Sequence, residues 1–359
     1  MNKSKQLFTL ITSEGELQVS LKEVDVPEPK PHEVIVRMEA SPINPSDMWP
    51  MFGPASLDKA TFDADKRALV APVHKPLLSR IKSRLDQTLP IGNEGAGTVV
   101  KAGDSPEAQA LIGKTVSILT GAAYTEYACV PMQACLPHLD STTPQQAASS
   151  FVNPLTALGM VETMRMEGHK ALVPTAAASN LGQMLNKICL EEGVELVNIV
   201  RSQEQVDLLK GIGAKIVLDS SSENFKAELY QAIDTTGATI LTMMEASGSK
   251  DAKGFNTYGS DSNKQVYIYG GLDFSPTILN RAYGMTWSIG GWLLMRFLGK
   301  LDKKRVVELY QKVAMEINTT FASSYTKELS LEEALQPENV ALYNAKKTGE
   351  KYLIVPNKG

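Results

Sequence analysis

The chain has 359 residues, too many for one typical domain of about 100–200 residues and enough for two sizeable cores. Its charged fraction of 21% and net charge of −4 lack the basic excess that nucleic-acid or anionic-membrane binding uses, and no apolar run approaches the ~20 residues that span a bilayer. Three cysteines without CxxC spacing and four scattered histidines without an HExxH pair argue against a disulfide framework and against a metal site built from neighbouring residues. The start MNKSKQLFTLITSEGELQ has no long apolar core or cleavage site. The expected location is the cytoplasm, and the expected partner is a small molecule.

In chain order, residues 1–153 give short strands broken by Pro and Gly: LKEVDVPEPKPHEVIVRMEA, GAGTVVKAG, GKTVSILTG and AAYTEYACVP. This is the texture of an irregular β domain. Inside it the turn IGNEGAG (91–97) sets Glu94 between glycines. Residues 54–90 carry Lys59, Lys66, Arg67, Lys75, Arg80, Lys82 and Arg84 against Asp58, Asp63, Asp65 and Asp86. Within them, LLSRIKSRL predicts a short amphipathic helix with Leu77, Leu78, Ile81 and Leu85 on one side.

Beyond residue 153 strands and helices alternate, the signature of a parallel sheet covered by helices. ALVPT (171–175) predicts a strand, and LGQMLNKICLEEG a helix with Leu181, Met184, Leu185, Ile188 and Cys189 on one face and Gly193 as its C-cap. Strand VELVNIV, helix QEQVDLLKG, strand AKIVL, helix ENFKAELYQAI and strands ATILTMM and KQVYIYGG follow, a doubly wound order. The tail adds the amphipathic helix DKKRVVELYQKVAMEIN, then LSLEEAL and the strand KYLIVP, which has no strand close to it in sequence and is expected to return to the first domain.

Between ALVPT and its helix, AAASNLG fills a GxGxxG frame with Ala177, Ser179 and Gly182, and Asn180 and Leu181 open the helix. Small residues permit a tight turn, and a helix start offers N–H groups and the positive dipole end to a pyrophosphate. Packing alone is the alternative explanation. About 20 residues on, where NAD-binding chains carry an acid, VRSQ offers Arg201 and Ser202. A guanidinium beside a hydroxyl suits a 2′-phosphate, so NADPH is expected over NADH, with a solvated surface arginine as the alternative.

PINPSD (42–47), GNEGAGTVV (92–100), AAYTEYACVP (122–131), NPLTAL (153–158), AAASNLG, YGG (269–271), GGWLL (290–294) and TGEKYLIVP, in that order and spacing, resemble the zinc-free branch of the medium-chain dehydrogenase/reductase superfamily, its quinone oxidoreductases and 2-enoyl thioester reductases. The resemblance implies an α/β chain: an irregular β (GroES-like) catalytic domain over 1–153, to which 295–359 returns, and a Rossmann doubly wound NADP-binding domain over 154–294. In zinc-dependent members the turn resembling IGNEGAG carries a histidine before the glutamate, and the segment resembling PINPSD carries a cysteine. Here those places hold Asn93 and the stretch from Asn44 to Ser46, so no metal is expected. Glu94 is then a structural carboxylate, satisfied by backbone N–H groups or a buried cation such as an arginine.

By the same resemblance Asn153, Thr156, Tyr269, Gly270, Gly271, Trp292 and Leu293 face the nicotinamide, Arg201 meets the 2′-phosphate, and Asn44 lies in the floor of the catalytic cleft. The plainer alternatives are a helix cap for Asn153, a core position for Trp292 and a turn for Asn44. Thioester reductases have a tyrosine near the end of FGPAS, where this chain has Ala55; Tyr124 is the remaining phenol candidate for proton donor. The basic stretch 54–90 is longer than the usual link and implies a lid or a landing for CoA phosphates, or else a solvated decoration. MTWSIGGWLL (285–294) resembles the strand through which relatives form homodimers. The expected activity is NADPH-dependent reduction of an enoyl thioester or enone, with quinone reduction and a catalytically silent NADPH sensor as alternatives.

Overall fold

The structure, a computed structural model, describes residues 3–236, 264–270, 285–345 and 347–358; the expected strand ATILTMM and Gly271 lie outside them. Two compact units emerge, Met1–Val152 with Tyr310–Gly359, and Asn153–Leu309. The chain returns to the first unit at Tyr310 and not at 295. Residues just before Tyr310 are held in the second unit, where the Phe297 ring packs, tilted, at 5.5 Å from that of Trp292 and Arg305 pairs with Glu162.

The first unit contains β1 (Lys3–Ile11), β2 (Glu16–Asp25), β3 (Glu33–Ile43), β4 (Thr61–Asp63), β5 (Ala68–Pro72), β6 (Leu89–Pro90), β7 (Glu94–Ala102), β8 (Thr115–Leu119), β9 (Tyr127–Pro131) and β10 (Cys135–Pro137). A five-stranded sheet runs β4-β5-β2-β1-β6. Period-2 burial along β1 and β2 sends Leu7, Ile11, Leu17, Val19 and Leu21 into one core, shared with Phe52, Tyr124, Tyr343 and Tyr352. The second sheet joins β10, β8, β7 and β3 to strands from the chain's end, β16 (Lys327–Leu329) and β17 (Tyr352–Ile354). β17 pairs antiparallel with β3, Tyr352 opposite Ile43.

Residues 54–90 are built into this unit. β5 adds to β2 from Glu16 opposite Pro72 to Ser20 opposite Ala68. The helix expected over LLSRIKSRL is instead a turn of α-helix, Lys75–Leu78, followed by 3₁₀ structure, Ser79–Arg84, interrupted at Ile81. So short a segment gains too few helical hydrogen bonds to hold a regular helix. The apolar pattern still decides its orientation, with Ile81 buried and Leu78 and Leu85 packed on the core.

In the second unit β11 (Ala171–Leu172), β12 (Glu195–Val200) and β13 (Ile216–Asp219) form a parallel sheet in that order, and β14 (Lys264–Ile268) pairs in parallel with β15 (Trp287–Gly291). β11 is shorter than ALVPT, since Pro174 has no N–H for a ladder. Side chains alternate across the sheet: Val197, Ile199, Ile216 and Leu218 pack with Leu229 and Ile233, while Val200 and Val217 pack with Val206 and Leu209. Helices Phe225–Thr236 and Gln203–Gly211 thus cover opposite faces, which is the doubly wound arrangement.

The helix Asn180–Glu192 lies so close to the turn before it that a Cβ on Gly182 would sit 2.1 Å from the Ala177 carbonyl oxygen. Gly182→Ala is expected to destabilise the protein by about 1–3 kcal/mol in urea unfolding, because backbone must shift to admit the methyl; an unchanged midpoint would refute the close packing.

Candidate active site

In the first unit the site is organised by Glu94, which is fully buried. The turn that delivers it needs Gly92, whose φ is +101° and whose Cβ would lie 2.6 Å from the Tyr124 ring. Glu94 Oε1 accepts from Asn44 Nδ2 at 3.0 Å; Oε2 accepts from the N–H groups of Phe151 at 2.7 Å and Val152 at 3.1 Å. One carboxylate therefore ties PINPSD to the backbone at Phe151 and Val152. Burial pushes the Glu94 carboxyl upward, and the charge of Lys351 and these N–H donors pull it back.

Of the two kinds of partner expected, backbone N–H groups are present and the cation is a lysine. Lys351 is 5% exposed and its ammonium donates to Ser149 Oγ, with the Tyr325 ring 5.9 Å away. Burial draws its pKa down to about 8 against the opposing pull of Glu94 and Asp47. Sequence reasoning passed over Lys351, though it stands in the quoted motif TGEKYLIVP and a lysine at the start of a buried strand was a visible signal. It also passed over Asp47. That side chain, 1% exposed, accepts from the N–H of Asn44 through Oδ2 and of Asn93 through Oδ1, both at 2.8 Å. Burial raises its pKa to about 7 despite those bonds.

The positions where a metal ligand set was considered are occupied by amides and a hydroxyl that bond one another, Asn93 Nδ2 donating to Ser46 Oγ at 3.0 Å. Among the described residues, no group of three or more His, Cys, Asp and Glu side chains is placed to hold a metal ion. Tyr124, the phenol candidate for proton donor, is fully buried, its hydroxyl donates to the Pro42 carbonyl at 3.1 Å, and burial raises its pKa well above the ordinary range. Asn44 is 1% exposed, with its amide committed to Glu94.

The second unit holds the other predicted residues. Ser179 is the N-cap of the helix Asn180–Glu192, its Oγ accepting from Gly182 N–H at 3.2 Å. Only the methyls of Ala176, Ala177 and Ala178 precede it, and Ala176 takes a left-handed φ of 53°. The frame therefore bends one residue before the first small position expected. Its small side chains and helix start suit a diphosphate. Arg201 is exposed at the end of β12, and its N–H donates to Gln205 Oε1 at 3.0 Å. The Ser202 hydroxyl accepts from Gln205 N–H at 3.4 Å, capping the helix Gln203–Gly211.

Asn153, Thr156 and Leu181 lie in helices, the first two buried. Trp292 packs against Gly159 and Phe297, and its Nε1 donates to Thr163 Oγ1 at 3.0 Å. Tyr269, Gly270 and Leu293 are exposed.

Two predictions follow from the buried charges. Lys351→Met should cost roughly 3–5 kcal/mol by leaving Glu94 and Asp47 without a cation, and adding Glu94→Gln should recover part of that loss in a double-mutant cycle; strictly additive losses would contradict the coupling. Asp47 ionises in the unfolded chain near its ordinary 3.8 but in the folded chain only near about 7, so the native state retains a proton between those values. Stability should thus decline as pH rises from about 4 to about 7, and urea titrations of Asp47→Asn should lack that share of the slope, on the order of 1.4 kcal/mol per pH unit at most. An identical slope in wild type and variant would assign it elsewhere.

No protein-family model matches the chain. It is 24% identical over 284 residues to mouse prostaglandin reductase-3, spanning 74% of this chain and 73% of the relative. It is 26% identical over 245 residues to a mitochondrial enoyl-[acyl-carrier-protein] reductase of Caenorhabditis elegans, spanning 65% and 61%. Its fold superimposes on the crystal structure of a putative NADPH:quinone reductase from Mesorhizobium loti with a TM-score of 0.70 and 26% identity over 99% of both chains. In sequence and fold the chain is similar to reductases of the zinc-free medium-chain dehydrogenase/reductase kind, quinone oxidoreductases and enoyl reductases among them.

Proposed function

We propose that this protein is an NADPH-dependent reductase that works without a metal and saturates a C=C bond conjugated to a carbonyl, as in an enoyl thioester or enone. The observation that carries this reading is the turn from Ala176 to Gly182, with Ser179 capping the following helix and Gly182 against the Ala177 carbonyl, in a chain alignable from end to end with an NADPH:quinone reductase-type fold. The nicotinamide supplies a hydride when bound. The residues of the chain then have to bind and orient: the turn 176–182 takes the diphosphate, Arg201 with Ser202 the 2′-phosphate, and Asn153, Thr156, Tyr269, Gly270 and Leu293 the nicotinamide end. Asn44, immobilised by Glu94, orients the acceptor carbonyl.

Polarisation of an alcohol by a Lewis acid calls for soft or imidazole ligands, and Asn44, Ser46 and Asn93 supply neither. An acceptor that is already electron-poor suits such a site. Quinone reduction is the second reading, favoured by Ala55 and by the burial of Tyr124, since a quinone needs no positioned phenol. Among the described residues no helix is long and apolar enough to cross a membrane. A cytoplasmic homodimer is part of the proposal. β15 pairs only with β14 among the described strands and offers the edge for it.

Loss of reduced-nicotinamide absorbance with crotonyl-CoA, a simple enone, 1,4-benzoquinone and 9,10-phenanthrenequinone, chelator present, tests the reading. Turnover of the thioester or enone is expected; tight NADPH binding with no acceptor reduced would replace it with a sensor. In Arg201→Ala, the KM for NADPH should rise ten- to a hundredfold, in line with about 1.5–3 kcal/mol for a charged hydrogen bond, with NADH little affected. Equal losses for both cofactors would remove Arg201 as the phosphate reader.

A further inference from the structure

Residues 74–84, HKPLLSRIKSR, carry Lys75, Arg80, Lys82 and Arg84 with no acid among them, in a chain of net charge −4. Arg84 is structural. Its guanidinium donates to the carbonyls of Trp49, at 2.8 Å, and Pro50, and to Thr9 Oγ1 at 3.1 Å. Lys66, elsewhere in the insert, is paired with Glu16 and Asp63. Lys75, Arg80 and Lys82 are exposed and make no ion pair with a described residue.

The Arg84 bonds also fix where this basic turn stands. They fasten it to the five-residue helix Met48–Phe52, which begins directly after Asn44–Asp47, and on that helix Trp49 is 49% exposed. A half-exposed indole on the helix to which this turn is fastened, with three cations on the turn that have no ion-pair partner among the described residues, suits a phosphorylated aromatic heterocycle: a base stacks on the indole and phosphates meet Lys and Arg. Nothing among residues 74–85 repels an anion. We propose that Trp49, Lys75, Arg80 and Lys82 bind a phosphorylated adenine nucleotide at the far end of an acyl thioester, as in coenzyme A. This rests on the thioester form of the proposed function, with Asn44 at the reacting end. An acidic carrier protein is the less suitable occupant, because stable protein docking buries about 800 Å² per partner and one short turn offers far less.

The test compares wild type with Lys75→Glu/Arg80→Glu/Lys82→Glu and, separately, Trp49→Ala. KM is measured for crotonyl-CoA, crotonyl-pantetheine and a simple enone at saturating NADPH, and coenzyme A is titrated calorimetrically into the NADPH-saturated protein. The KM for crotonyl-CoA should rise about tenfold in the triple variant, equivalent to about 1.4 kcal/mol, and coenzyme A affinity should fall in parallel, while the pantetheine and enone values stay put. Trp49→Ala should show the same selectivity. Equal KM values for crotonyl-CoA and crotonyl-pantetheine in wild type overturn the site, as do losses shared by the enone. Enone turnover with no coenzyme A binding sinks this site and leaves the reductase standing; coenzyme A binding lost in the variants, with no acceptor reduced, supports the site and sinks the reductase.

Discussion

A carboxylate buried away from bulk solvent must find hydrogen-bond donors and a counter-charge inside the fold, and the first unit of this protein is arranged around that demand. Glu94 takes its donors from Asn44 on one side and from Phe151 and Val152 on the other, and Lys351 supplies the charge. These groups come from four separate stretches of sequence. β7 delivers the glutamate, the end of β3 the asparagine, and β17, registered on β3, the lysine. Removing any one of them leaves a buried polar group unsatisfied, so the cluster fixes its own geometry.

The same cluster explains why asparagine precedes the glutamate. Asn93 uses its backbone N–H to satisfy Asp47 and its amide to reach Ser46, so it closes the turn onto PINPSD by hydrogen bonds. Amide and hydroxyl partners hold the loops in place with no ion required. The chemistry left to such a site is orientation and hydrogen bonding, which matches transfer of a hydride to an acceptor that is already polarised.

The second unit was the more legible in sequence, because period-3.6 helices and short apolar strands are local patterns that survive without knowledge of their partners. Val197 and Ile199 against Val200 report two covered sheet faces directly. In the first unit the strands were visible, but which of them pair was not, since Tyr352 meets Ile43 across three hundred residues of chain. That is why Lys351 went unnoticed as the counter-charge. The surroundings of Tyr124 were illegible for a related reason: only the structure reveals that Gly92 brings the turn onto its ring. The basic insert was legible in its apolar face, which Ile81 keeps, and illegible in its backbone, which is too short for its helical pattern to be realised.

The most direct measurement is isotopic. NADPH carrying deuterium at the transferable position of the nicotinamide is incubated with the protein, a chelator and an α,β-unsaturated ketone, and the product is analysed by mass spectrometry and NMR. The account predicts deuterium on the carbon β to the carbonyl and a solvent-derived proton on the α carbon. A saturated product without the label, or formation that stops when the chelator is added, would contradict hydride delivery at a site organised by Glu94 and Lys351 alone.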